Sequence, residues 1–200
     1  MSDKSSLILA SKSPSRQTLM KNAGLVFEQH VSNVDEKIIK ETFLKSGEIS
    51  DLAMILAQAK ALAVSERFPG AYVIGADQTL LFEERIYDKP VSDVDARDQL
   101  LALRGNQHQL ETAVCVIRNQ ETLWSVSESS YLTMRNFSPE FLGKYLAAEG
   151  DSVKTSVGGY KLEGLGLQLF EIIDGDFFSI LGLPMLKLLG FLRSQNLIET

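Results

Sequence analysis

The sequence predicts a mixed-sheet α/β protein. In the first half, short apolar segments typical of strands alternate with amphipathic helical segments, and a meander of strands follows in the middle of the chain. The chain has 200 residues, of which 44% are hydrophobic, so one compact domain or two small lobes can bury a core. No internal repeat, low-complexity segment or linker is visible.

The charge and the cysteine content narrow the classes of function. The net charge is −6, which argues against a partner that is a nucleic-acid polymer, because a broad nucleic-acid surface needs a basic stripe. The single cysteine, Cys115, lies in an apolar run and is interpreted as a buried hydrophobe in a reducing compartment. Residues Met1 to Ser6 are polar and no apolar run could span a bilayer, so we expect a cytoplasmic protein with no membrane partner.

The stretch from Leu7 to Arg16 is predicted as a strand that runs into the N-terminus of a helix. Ser13 suits the N-cap, Pro14 suits the first helical position, and Gly24 ends the segment. The free amides of a helix N-terminus, together with Arg16, can bind an anion such as phosphate. Taken alone, the pattern favours a structural cap beside a solvated arginine.

Two carboxylates and a lysine follow. A strand is predicted over residues 26–31, and Asp35 and Glu36 at its end are interpreted as turn residues in preference to metal ligands. An amphipathic helix is predicted over residues 51–66. Lys60 lies beside its apolar stripe, and position alone favours a surface lysine whose stem covers apolar residues.

A buried strand over residues 71–75 is predicted to deliver Asp77 just past its carboxyl end, before a second strand over residues 79–82. α/β proteins place chemistry at such strand ends, although an Asx-turn explains Asp77 equally well. Further along, Pro90 restricts Lys89 to an extended backbone, which holds the ammonium group out from the chain.

Structural roles are predicted for the remaining segments. Helices are predicted from Ser92 to Gly105, from Ser138 to Gly150 and after Pro184, and strands over residues 107–117, 121–127, 129–135 and 167–173. The glycine-rich stretch 157–166 precedes a strand and lacks dinucleotide-fingerprint spacing, so its glycines are interpreted as turn residues. His30 and His108 have no cysteine or further histidine at ligand spacing and are interpreted as structural or exposed residues, not zinc ligands.

Seven groups of residues, taken together and in order, resemble the Maf family of nucleoside triphosphate pyrophosphatases. They are LILASKSPSR from Leu7, VDE from Val34, QAKA from Gln58, VIGADQ from Val73, DKP from Asp88, GYKLEG from Gly159, and GD at 175–176 with GLP at 182–184. The resemblance covers nearly the whole chain. It implies a single domain over residues 1–200, with two lobes around a cleft, similar to the inosine triphosphate pyrophosphatases.

The resemblance also implies an activity, namely hydrolysis of a nucleoside triphosphate to the monophosphate and pyrophosphate with a divalent cation, Mg²⁺ or Mn²⁺. It places Asp77 at the catalytic position, and Glu36 and Asp77 are the candidate metal ligands. Asp77 acts either as a base or as a metal holder, and the sequence leaves both open. The phosphate contacts implied by the family are Ser11, Ser13, Arg16, Lys60 and Lys89.

Three positions associated with base choice depart from the commonest family pattern, namely Ser15, Gln78 and Glu163. Gln78 with Glu163 resembles the subgroup that acts on 7-methyl-GTP, although that subgroup commonly has an aromatic residue where Ser15 stands. A carboxylate such as Glu163 can only accept hydrogen bonds, so it matches the N–H donors of the guanine edge and favours the cationic methylated base. We therefore expect a guanine-type substrate, 7-methyl-GTP preferred, and a role in removing modified nucleotides.

Two other functions stay open at this point. One is a pyrophosphatase that acts on dTTP and UTP. The other is a nucleotide-responsive regulator of cell division, because the family is linked to division arrest. Family members are often dimers, so a homodimer is also an open expectation.

Overall fold

The computed structural model describes residues 6–45 and 49–199, so that most of the polar start of the chain lies outside the described residues. The strands are β1 (Leu7–Leu9), β2 (Glu28–Gln29), β3 (Tyr72–Phe82), β4 (Arg85–Tyr87), β5 (Gln107–Arg118), β6 (Glu121–Met134) and β7 (Phe170–Asp174). The helices are α1 (Pro14–Asn22), α2 (Glu36–Phe43), α3 (Leu52–Ser65), α4 (Asp93–Leu103), α5 (Pro139–Glu149), α6 (Phe177–Ile180) and α7 (Met185–Ser194). Short 3₁₀ helices lie at Ile49–Asp51, Gly150–Thr155, Val157–Gly159 and Leu165–Leu169.

The strands form a mixed sheet in the order β2-β1-β3-β5-β6-β7, with β4 paired to β3. β1 is parallel to both β2 and β3, whereas β4 is antiparallel to β3 and β7 is antiparallel to β6. The predicted mixed-sheet α/β class is therefore confirmed. None of the helices in residues 6–45 and 49–199 is long and apolar enough to cross a membrane.

The chain divides into two compact units. The first contains the residues up to Asp77, Thr112–Glu128 and the residues from Gly182 onward, and the second contains Gln78–Glu111 and Ser129–Leu181. The single-domain organisation stays a prediction.

The core of the first unit lies on both faces of β1 and β3. Because successive side chains of a strand point to opposite faces, Tyr72, Ile74 and Ala76 pack in one cluster with α1 and α7. The neighbouring residue Val73 packs in a second cluster, which contains Ala57 and the other buried alanines of α3. The face of β3 that carries Val73 is therefore the face that α3 covers.

The second unit has its own core, built from the end of β3, α4, α5 and the strands around them. Its largest side chains are aromatic, and Phe137, Tyr145 and Tyr160 are all almost fully buried in it.

The predicted helices α1, α3, α4, α5 and α7 are confirmed, with the predicted serines at the N-caps of α1, α4 and α5. Several strand predictions are wrong. The segments 71–75 and 79–82 form one continuous strand, β3, and 121–127 and 129–135 form β6. Polar residues inside these runs suggested breaks, but in each case they occupy positions within an uninterrupted strand.

Other boundaries also differ from the prediction. Only residues 28–29 of the predicted 26–31 strand pair with β1, and Val26 is 91% exposed. The last strand begins at Phe170, because a 3₁₀ helix occupies Leu165–Leu169. α2 and α6 were not predicted; α2 has eight residues, none of them fully buried, and α6 has only four.

Candidate active site

The N-terminus of α1 is built as the sequence predicts. Ser13 has an extended backbone, and its Oγ accepts a hydrogen bond from the Arg16 amide at 3.4 Å. The Ser11 Oγ accepts from the Ser13 amide at 3.2 Å, and the Ser11 carbonyl accepts from Gln29 at 2.8 Å. The two serine hydroxyls therefore stabilise the turn between β1 and α1. Ser15 lies half-buried in the first turn of the helix.

Arg16 is buried, so its interpretation as a solvated arginine is wrong. Its side chain is bonded at three points: Nε donates to the Gly182 carbonyl at 2.9 Å, and Nη1 donates to the Ala76 carbonyl at 2.9 Å and to the Ser11 Oγ at 3.2 Å. Gly182 has φ +111°, a conformation that favours glycine, and a Cβ there would lie 3.2 Å from the Arg16 Nε. The guanidinium joins α1, β3 and the turn before α7.

Burial lowers the pKa of Arg16, while the negative charges of Asp77 and Glu36 act in the opposite direction. Guanidinium groups remain protonated in proteins. The first unit therefore keeps a buried cation beside these two carboxylates.

Asp77 lies in the middle of β3, not just past the end of a strand as predicted. It shares the α3-facing side of β3 with Val73 and Gly75, because the three residues alternate along the strand. Lys60 extends from α3 to this side, and its Nζ lies 2.7 Å from the Asp77 Oδ1. The side chains of Lys60 and Asp77 are only 9% and 13% exposed.

The interpretation of Lys60 as a surface lysine is therefore wrong. α3 is apolar around nearly its whole circumference, and its buried residues include Ala57, Lys60, Ala61 and Val64. A lysine on such a helix is buried with its charge paired, as burial of an ammonium group requires.

Gly75 explains how α3 comes so close to β3. A Cβ built at this glycine would overlap the Ala57 carbonyl oxygen and lie 2.7 Å from the Ala61 Cβ. In the sequence, Gly75 stands out only as part of the VIGADQ group. A glycine inside an otherwise apolar strand is a signal for close backbone approach, and that signal identifies it as the residue that sets the spacing between Lys60 and Asp77.

Glu36 is the third charged residue of the cluster that contains Lys60 and Asp77. Asp35 caps α2, since its Oδ1 accepts from the amides of Lys37 and Ile38, both at 3.1 Å, and Glu36 is the first residue of the helix. The Glu36 Oε1 lies 3.1 Å from the Lys60 Nζ, and its side chain is 52% exposed. The prediction that the pair forms only a turn is wrong, because Asp35 begins a helix that carries Glu36 to Lys60.

Lys60 contacts one oxygen of each carboxylate, so Asp77 and Glu36 lie on the same small patch of the first unit. In residues 6–45 and 49–199, no group of three or more His, Cys, Asp or Glu side chains could hold a metal ion. Two carboxylate ligands suit a hard divalent cation that also binds substrate phosphates, since Mg²⁺ typically binds one or two protein carboxylates. The residues present fit such an ion.

The second unit holds Gln78, Lys89 and Glu163. Gln78 follows Asp77 in β3 and points to the opposite face, where its Nε2 donates to the Ser179 carbonyl at 3.1 Å and the Ile180 carbonyl at 3.0 Å. Gln78 therefore secures the end of α6. Lys89 and Glu163 both lie on connecting segments and are exposed.

The segment that leads to Glu163 is anchored by buried aromatic residues. The Tyr160 hydroxyl and the His108 Nε2 are 2.8 Å apart, and the Tyr145 hydroxyl donates to the Gly159 carbonyl at 3.2 Å. Burial lowers the pKa of His108 to about 4, so the ring is neutral at physiological pH. Glu163 is thus an exposed carboxylate on a firmly held turn.

The structure therefore brings together Ser11, Ser13, Arg16, Glu36, Lys60 and Asp77 in the first unit. Cys115 and His108 are buried, and His30 lies half-exposed beside Glu28 at 3.0 Å. The arrangement combines two cations, two carboxylates and a helix N-terminus. Cations and a helix N-terminus can bind an anion such as a phosphate, and a carboxylate can orient a water molecule.

Comparison with known proteins gives the family. A family model described as "Maf-like protein" matches residues 6–195. A protein of Brucella suis biovar 1 named 7-methyl-GTP pyrophosphatase is 47% identical over 194 residues, covering 96% of this chain and 98% of the relative. One of Rhizobium etli with the same name is 46% identical over 194 residues, with the same coverage.

A protein of Bradyrhizobium diazoefficiens named nucleoside triphosphate pyrophosphatase is 48% identical over 195 residues, which is 98% of this chain and 96% of that protein. This chain belongs to the Maf-like family. The family assignment made from the seven groups of residues is confirmed.

Proposed function

We propose that this protein is a nucleoside triphosphate pyrophosphatase that hydrolyses its substrate to a nucleoside monophosphate and pyrophosphate. The observation that carries the proposal is the buried Lys60 ammonium held between Asp77 at 2.7 Å and Glu36 at 3.1 Å. Its support from related chains is that the Brucella and Bradyrhizobium relatives, aligned over nearly their full lengths, are named as pyrophosphatases of this kind.

Water adds to a phosphorus atom of the α–β linkage, the bond from that phosphorus to the bridging oxygen breaks, and the pyrophosphate leaves with the electron pair. The proton that the attacking water loses passes to solvent. A triphosphate carries several negative charges, so its hydrolysis depends on neutralising that charge and orienting the water. Lys60, Arg16 and the N-terminus of α1 supply positive potential in the first unit. Lys89 supplies a further phosphate contact.

Asp77 orients the attacking water. Its Oδ1 is fixed by Lys60, which holds the carboxylate in one orientation. A divalent cation, Mg²⁺ or Mn²⁺, would be held by Glu36 and Asp77 and would, when bound, neutralise charge on the phosphates.

For the base we propose guanine, with 7-methyl-GTP preferred. Two relatives carry that substrate in their names, and the exposed Glu163 carboxylate offers only acceptors, which match the N–H donors of guanine. Methylation makes the base cationic, and a nearby carboxylate favours the cation. Gln78, whose amide is bonded to carbonyls of α6, contributes by holding that helix.

The test is pyrophosphate release with Mg²⁺ or Mn²⁺ from GTP, 7-methyl-GTP, ITP, dTTP, UTP and CTP. We expect the highest kcat/KM with 7-methyl-GTP, and a shift toward dTTP and UTP in Glu163→Gln. Glu171→Gln, which removes the same charge from an exposed position in β7, is the matched control and leaves the preference unchanged. A wild-type preference for dTTP and UTP would refute the assignment of the base but not the reaction.

Asp77→Asn tests the reaction itself. The asparagine keeps the volume and an oxygen that can accept from Lys60, so the variant folds, but it cannot carry the negative charge. We expect turnover to fall by at least about 1,000-fold, which corresponds to about 4 kcal/mol of transition-state stabilisation. Appreciable residual hydrolysis would contradict the role given to Asp77, and Asp98→Asn on the exposed face of α4 is the control.

A further inference from the structure

The segment over residues 88–92 joins β4 to α4 and carries Lys89. Lysine has a long, flexible side chain, so the place where its ammonium group can act depends on how well its backbone is held. Two side chains of α4 hold this backbone, one on each side of Lys89.

Gln99 holds the preceding residue. Its Nε2 donates to the main-chain carbonyl of Asp88 at 3.2 Å, and therefore fixes the peptide group that leads directly into Lys89. Asp95 holds the backbone after Lys89, since its Oδ2 accepts a hydrogen bond from the Val91 amide at 2.9 Å. Asp95 is itself fixed, because its amide donates to the Ser92 Oγ at 3.1 Å and its Oδ1 accepts from Gln99 at 3.4 Å.

Packing also holds the backbone of this segment in place. Pro90 is buried, and its ring constrains the backbone of Lys89 to an extended conformation. A Cβ at Gly159 would lie 3.6 Å from the Pro90 Cγ and 3.8 Å from the Ala96 Cβ, so the turn before Tyr160 packs against both the proline and α4.

Gln99 lowers the stability of the fold, so stability does not explain why a glutamine occupies this position. It is 9% exposed, and its buried Oε1 has no hydrogen-bond partner among residues 6–45 and 49–199. A buried acceptor in this state costs about 1 to 3 kcal/mol, and an unbranched apolar side chain of similar length would avoid that cost. The amide group at this position is therefore explained by what its nitrogen does, namely its bond to the Asp88 carbonyl.

We propose that Gln99 and Asp95 are positioning residues for Lys89, which hold its backbone so that the ammonium group meets the triphosphate of a nucleotide without a further loss of conformational freedom. The proposal rests on the phosphate-binding role given to Lys89 under the proposed function. Gln99 and Asp95 act through the backbone around Lys89 and do not touch the substrate.

The test is a double-mutant cycle on kcat/KM for pyrophosphate release, made with Gln99→Met and Lys89→Met. We expect Gln99→Met to lower kcat/KM about tenfold while the midpoint of thermal unfolding stays equal or rises, because the unpartnered buried oxygen is gone. In the Lys89→Met background, Gln99→Met has no further effect, since the group that it positions is absent.

Asn106→Leu is the matched control. Asn106 also donates its amide to main-chain carbonyls, those of Ala102 and Arg104, but at the other end of α4. Its effect on kcat/KM is expected to be small and to add to that of Lys89→Met. Asp95→Asn removes one of two acceptor oxygens, and we expect a loss smaller than that of Gln99→Met which also disappears in the Lys89→Met background.

Failure of the phosphate-binding role of Lys89 and failure of the positioning role of Gln99 give different results. If Lys89→Met leaves kcat/KM unchanged, the phosphate role of Lys89 fails and the positioning proposal fails with it. If Lys89→Met lowers kcat/KM but Gln99→Met does not, or if the two losses add, only the positioning proposal is overturned.

Discussion

Replacing Gly75 with alanine places a methyl group between β3 and α3. The added Cβ would overlap the Ala57 carbonyl oxygen and lie 2.7 Å from the Ala61 Cβ, whereas carbon atoms in contact are about 3.5 to 4.0 Å apart. Both neighbours belong to the buried face of a helix, so neither can rotate away. The helix as a whole must move by about 1 Å from the strand to restore normal contact.

This displacement is expected to lower both the stability of the protein and its catalytic rate. Overpacking a well-packed core costs about 1 to 3 kcal/mol, which lowers the midpoint of thermal unfolding but leaves the chain folded. Lys60 moves with α3, away from Asp77, and a misplacement of about 1 Å in a catalytic arrangement can lower the rate about 100-fold. We therefore expect Gly75→Ala to be folded, moderately destabilised and to have a kcat/KM about 100-fold lower.

The assay combines thermal unfolding with pyrophosphate release from 7-methyl-GTP. Gly143→Ala and Gly190→Ala are matched controls, because both glycines lie inside helices and a Cβ at either would meet nothing within 4 Å. These controls are expected to gain about 0.5 to 1 kcal/mol of stability and to keep full activity. Wild-type activity and stability in Gly75→Ala would refute the argument that this glycine sets the position of Lys60.

Three further outcomes are expected. Lys60→Met leaves the largely buried carboxylate of Asp77 without its ion-pair partner, so we expect the free energy of unfolding to fall by about 3 kcal/mol. Part of this loss is recovered when Asp77→Asn is added to Lys60→Met, and full additivity of the two substitutions in urea unfolding would contradict the argument. Because burial lowers the pKa of His108 from 6.5 to about 4, the unfolded chain binds the extra proton between these values, and stability falls by about 3 kcal/mol as the pH drops from 6.5 to 4. His108→Gln, which can still bond Tyr160, should remove that part of the slope of stability against pH, and an unchanged slope would refute the assignment. Burial raises the pKa of the Cys115 thiol to about 12, against a smaller opposing effect of the Gly75 backbone, so a thiol reagent at pH 8 should modify it only in denaturant.

Several local patterns were predicted correctly because their determining contacts are close in sequence, whereas the cap of α2 at Asp35 was missed although it too is local. Ser13, Ser92 and Ser138 were identified as caps because an N-cap bonds an amide only three residues away.

The burial and the partners of the charged residues could not be predicted from local sequence patterns. The position of Lys60 on its helix indicated a surface lysine, yet it is buried because Asp77, 17 residues later, lies on the β3 face that α3 covers. Arg16 likewise bonds the carbonyls of Ala76 and Gly182, 60 and 166 residues away. The free energy of burying a charge depends on partners that the linear sequence does not place nearby.

Periodicity, local hydrogen bonds and motif matches are enough to predict the α/β class, most of the helices with their caps, the family and the candidate site residues. Three features appear only in the folded chain: Asp77 lies inside β3, Glu36 begins a helix and reaches Lys60, and Gln99 holds the segment of Lys89. Each of these depends on contacts between elements distant in the chain, and such contacts exist only once strands and helices have packed together.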